Sequence, residues 1–224
     1  MLAILAAQLI DYQRAWTPPA VKAYAEDLGG LFAENHLVRG FHVGHGDAFR
    51  FEVERPKALR VALLAGGLAM RDRRPGLRVA IALQATSDTT VPITLRTGPG
   101  YLAAAAALPE LARRRERLAL VPGPGVPEVW PLAVRLAGHV LADFSPRQAE
   151  TLAYKLHRPR ADQRELAALL GVSQQAISKH YRGGALRALL ATCDAFASEL
   201  APRPGTEAAQ QVVAYRNPYE SQDR

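Results

Sequence analysis

The order in which strand-like and helix-like runs follow one another, from the first residue to about Pro131, constrains the fold more than any other feature of the chain. "LAILAAQLI" is an apolar run and reads as a buried first strand. "PPAVKAYAEDLGGLFAEN" has helical spacing, with prolines where a helix tolerates them, in its first turn. "LVRGFHVGHGDAFRFEVE" holds two short extended runs around a Gly-Asp turn and predicts a hairpin. "PKALRVALLAGGLAMRD" is helical again, "LRVAIALQAT" is a central strand, and "GPGYLAAAAALPELARRRER" is a turn opening an alanine-rich helix. "LALVPG" gives a last short strand and "EVWPLAVRLAGHVLADF" a last helix or linker. Strand, helix, strand, strand, helix, strand, helix, strand fits an α+β, ferredoxin-like sheet with helices on one face. From about Ser145 only helices are expected. The predicted organisation is a sheet domain over 1–143, an all-α domain over 144–201, and a polar, flexible tail over 202–224.

Charge and cysteine content narrow the partners. Lys and Arg number 28 against 21 Asp and Glu, a net charge of +7, which favours an anionic partner such as nucleic acid. The single cysteine, Cys193, excludes an internal disulfide framework and a cysteine-based zinc site, and fits a reducing, cytoplasmic setting. The opening "MLAILAAQLI" lacks a basic leader and is too short to span a bilayer before Asp11 interrupts it, so no membrane association is expected.

"ELAALLGVSQQAISKHYRGGALRALL" carries the most specific local signal. Asp162 and Glu165 stand three apart at a helix start, as in a capping box. Gly171 falls where the backbone must turn left-handed, and Ser173 is placed to cap the next helix, "QQAISKHYR". Leu166, Ala167, Leu170, Val172 and Ile177 supply the inside of a helix-turn-helix. The outward residues are then Gln174, Gln175, Ser178, Lys179 and Arg182, with no carboxylate among them. With Ser173 they form the candidate DNA-binding set, because Gln pairs bidentately with adenine while Lys, Arg and Ser reach bases or phosphates. His180 stands where an apolar residue is more usual, and Tyr181 is placed to take over its packing. The plainer reading is a polar face on an ordinary helical bundle.

"GHGDAFRF", "RTGPGYLAAAAAL" and the Val-Ser-Gln-x-Ala-Ile-Ser-Lys helix, taken together, resemble the SatD-like bacterial proteins. The resemblance runs from the first strand to about Phe196 and implies a nucleotide-cyclase-like domain joined to a C-terminal helix-turn-helix. Cyclase-like sheets place two metal-binding carboxylates, one ending the first strand and one in the hairpin. Here the hairpin acid is Asp47, Ala48 replaces the acid that usually follows, and Gln8 stands at the strand position. Magnesium needs several anionic oxygens, so no catalytic residue, metal or cofactor is expected. Asp47 with the Gly98-Pro99-Gly100 turn remains a candidate ligand site, with a nucleotide effector in view; the plainer readings are a turn aspartate and a helix-start loop. His42 and His45, three apart on a strand, point to opposite faces and form no metal pair.

The expected function is a DNA-binding transcriptional regulator, a homodimer on double-stranded DNA, whose non-catalytic first domain serves dimerisation or ligand sensing. The rivals are a metal-dependent nucleotide-processing enzyme docked on DNA, and a protein-interaction adaptor.

Overall fold

The computed structural model describes residues 2–44, 46–84, 91–123 and 126–201; His45 and the 202–224 segment lie outside these. The protein is α+β, built on a mixed five-stranded sheet of order β2-β3-β1-β4-β5. The central strand β1 (Leu2–Leu9) runs antiparallel to both neighbours, β3 (Ala48–Glu54) and β4 (Leu77–Gln84). The edges are β2 (Gly40–Val43), antiparallel to β3, and the short β5 (Leu118–Leu120), parallel to β4. In this register Ile4 lies opposite Glu52, and Gln8 opposite Ala48.

Side chains alternate across each strand, so β1 sends residues to two layers. Leu5, Ala7 and Leu9 join Phe49, Phe51, Val53, Val79 and Ile81 in the main core. That layer is covered by α2 (Pro18–Asn35) and α3 (Ala58–Ala69). Ile4 and Ala82 face the other way and pack against Tyr101 and Ala104 of α4 (Pro99–Arg114). Helices therefore cover both faces of the sheet, which corrects the expectation of one covered face. The reason is visible in β1 itself: a strand with no polar face needs apolar cover on each side.

Local chemistry sets the helix limits. Thr17 caps α2 through its side chain, and Pro18 and Pro19 occupy the first turn, where a missing N–H costs nothing. Asp11 adopts a left-handed backbone, φ 50°, and leads into the short α1 (Tyr12–Ala15), away from the strand end where Gln8 sits.

The buried helix α3 joins the sheet to the remaining helices. All but one of its residues are buried, so it has apolar neighbours on every side. A Cβ on Gly67 would lie 2.7 Å from the Ala149 carbonyl, so glycine lets α6 (Pro146–His157) cross α3 closely. Leu152 and Leu156 of α6 share the main core with Leu186, Leu189 and Phe196 of α9 (Ala185–Glu199). Trp130 of α5 (Val129–Ala142) meets Phe196 edge-on at 5.1 Å. The expected boundary at 143/144 falls in the link between α5 and α6, and packing continues across it.

Candidate nucleic-acid interface

Between α6 and α9 lie α7 (Gln163–Leu170) and α8 (Gln174–Arg182). Asp162 accepts hydrogen bonds from the amides of Arg164 and Glu165, while Glu165 accepts from the Asp162 amide at 2.7 Å, a reciprocal capping box. These contacts hold the Asp162 carboxyl below its ordinary value, the bond from the Glu165 amide first. Gly171 ends α7 at φ 62°, and the Val172 amide returns to the Ala167 carbonyl at 3.0 Å. Ser173 then caps α8, its hydroxyl accepting from the Ala176 amide at 3.2 Å. Such a cap contributes about 1 kcal/mol.

The unit has a small core of its own. Leu166, Ala167 and Ile177 are buried together, with Tyr154 of α6, Leu170, Val172 and Tyr181 packed around them. Tyr181 also touches the main core, so it fastens α8 to the body of the protein. His180 fastens it a second time: its Nδ1 lies 2.9 Å from the Thr151 hydroxyl on α6. That hydroxyl gives its one proton to the Arg147 carbonyl, so the Nδ1 of His180 is the donor in the pair. Burial, then the neighbouring Lys179, lowers the His180 pKa.

With its inner face committed, α8 presents Gln174, Gln175, Lys179 and Arg182 to solvent, while Ser178 is half-buried and Ser173 is exposed. The exposed face carries two amides and two cations and no acid. Arg164, at the start of α7, is exposed too, as are Arg158 and Arg160 in the α6–α7 link. These three lie outside the helix-turn-helix sequence pattern, so that pattern does not mark them.

In the first part of the chain, the structure brings Gln8 and Asp47 together. The Gln8 side-chain amide donates to Asp47 Oδ2 at 2.9 Å. An open pocket there is lined by Gln8 and Ala48 together with Ala105, Leu108 and Pro109 from the middle of α4. The Gly98-Pro99-Gly100 turn opens the other end of α4, where Tyr101 donates to Glu52. Ala48 and Glu52 are four residues apart on β3, roughly 13 Å. Asp47 and the glycine turn therefore lie at different levels along β3. Among the described residues, no three His, Cys, Asp or Glu side chains are grouped to hold a metal ion.

Glu52 is the charged residue the sequence conceals. It is fully buried, is ion-paired with Arg96, and accepts from the Tyr101 hydroxyl. Arg50 lies over the Tyr101 ring at 5.1 Å and donates to the Ile93 and Arg96 carbonyls, both at 3.3 Å. The group ties the segment before α4 to the sheet.

No family model, no curated protein and no solved structure matches the chain. Among the described residues no helix is long and apolar enough to cross a membrane.

Proposed function

We propose that the protein is a DNA-binding transcriptional regulator, with α7 and α8 as a helix-turn-helix and α8 as the helix that enters the major groove. The observation that carries this reading is the exposed, acid-free face of α8 on a unit whose inner face is fully used. An exposed amide-and-cation face suits base edges and phosphates, and suits no apolar partner. In this reading Gln174, Gln175 and Ser178 face bases, while Ser173, Lys179 and Arg182 hold the backbone.

The first part is proposed to be a ferredoxin-like, nucleotide-cyclase-like unit of the SatD-like kind. The antiparallel order β2-β3-β1-β4 supports this, since split βαβ sheets are wound that way. Its role is dimerisation or sensing rather than catalysis. At the position expected for a first carboxylate, a neutral amide donates to the second, Asp47, which uses one of its oxygens. A pair of that kind offers a divalent cation little negative charge.

Selection from a pool of random duplexes tests the proposal. A homodimer should recover two half-sites roughly one helical turn apart. Changing Gln175 to Ala should weaken the selected site by about 1–3 kcal/mol and relax preference at one position. Recovery of no sequence preference, with Gln175→Ala indistinguishable from the parent, contradicts it.

A further inference from the structure

A cavity of about 210 Å3 lies where the start of α3, the end of α6 and α9 meet. Leu156, Leu190, Cys193 and Ala197 give it an apolar wall. Burial raises the Cys193 thiol to about 12, so it stays neutral and behaves as part of that wall. Three cations also line the cavity, Lys57, Arg60 and Lys155, against one acid, the exposed Asp194.

The cations differ in how they are satisfied. Lys57 is paired with Glu54 at 3.0 Å. Arg60 and Lys155 form no ion pair among the described residues, and their hydrogen bonds go to backbone carbonyls. Arg60 donates to Leu156 at 2.7 Å and to His157 at 3.5 Å. Lys155 donates to Pro159 and Ala161, both at 2.7 Å. Carbonyl dipoles compensate a half-buried cation only in part. Burial accordingly pulls the Arg60 guanidinium below its ordinary value, with Cys193 and Asp194 acting the other way. A guanidinium fork and an ammonium beside an apolar wall are complementary to a carboxylate carried on an apolar body. The size agrees, because a dry cavity of ~150 Å3 already accepts benzene.

We infer that this cavity is an effector site for a small organic carboxylate with an apolar body. The carboxylate engages Arg60 and Lys155, and the body lies against Leu156, Leu190 and Cys193. Lys155 is the link to the rest of the molecule. The two carbonyls it braces belong to the connection between α6 and the cap of α7, so a carboxylate that draws Lys155 away loosens the support of α7 and α8. The binding stands on the cavity alone; its coupling to DNA rests on the function proposed above.

The test uses the full chain, with calorimetry and NMR titration against benzoate, phenylacetate and hexanoate, and with benzamide as a neutral match for benzoate. At least one carboxylate is expected to bind saturably, one per chain, and benzamide about tenfold more weakly than benzoate or worse. Ala197→Phe and Leu190→Phe each fill the cavity, and whichever melts like the parent should lose the binding. Lys155→Met should weaken it about tenfold, a loss of about 1.4 kcal/mol. Absence of binding by all three carboxylates, equal binding of benzamide, or unchanged binding in a folded cavity-filled variant overturns the site. A bound carboxylate that leaves duplex affinity unchanged overturns the coupling but not the site. An unliganded chain that binds no duplex overturns the DNA reading alone.

Discussion

His180 shows how one side chain can be both legible and misleading. The sequence marks it as a misfit on the inner side of α8, and Tyr181 does take the packing position, in contact with both cores. What the sequence hides is Thr151, 29 residues away, to which the imidazole donates. No local pattern links residues so far apart, whereas Asp162, Glu165, Gly171 and Ser173 are readable because each acts within a few residues of itself. The burial of His180 has a pH consequence. The His180 pKa is lowered in the folded protein, by burial first, so the unfolded chain takes up its proton at higher pH than the native state. Its contribution to stability is full above the ordinary value of about 6.5 and is lost as pH falls below it. Urea unfolding of the parent and His180→Gln between about pH 7 and about pH 5 should give curves that converge toward the acid end. Parallel curves across that window would show that the imidazole is not held neutral.

Whole elements were legible where period and punctuation agree. The strand and helix order of the first part, and the limits of α7 and α8, follow from apolar spacing together with caps and turns. The side of the sheet taken by α4 does not, because "YLAAAAAL" is too uniformly small to declare a face, and only the second apolar layer of β1 demands it there. The alternation in "FRFEVE" likewise does not show what covers Arg50 and Glu52. The segment ahead of α4 covers that side, and Glu52 becomes a buried partner of Arg96 and Tyr101. Removing one member of a buried pair strands the other charge, so Glu52→Ala should lower the unfolding free energy by roughly 3–5 kcal/mol. Chemical denaturation measures this directly. A loss below about 1 kcal/mol would mean that water reaches Arg96 freely, as at an exposed pair.

At the scale of the molecule, the α7–α8 unit is fixed to the sheet through the buried α3, to which α6 and α9 pack in one core. The sequence marks a change of texture near Ser145 but carries no sign of that continuity, which depends on Gly67 meeting Ala149 across 82 residues. The orientation of α8 is therefore set by the body of the protein, and an event at the cavity between α3, α6 and α9 lies on the path between them. The central functional claim is that the face of α8 binds DNA, and salt tests it most directly. Duplex affinity of the purified chain, measured from ~50 mM salt upward, should fall linearly on logarithmic axes, with a slope near −0.9 for each phosphate neutralised. Arg182→Ala should weaken every sequence alike and flatten that slope by about 1. Absence of binding at ~50 mM salt, or a slope that Arg182→Ala leaves unchanged, would contradict the account.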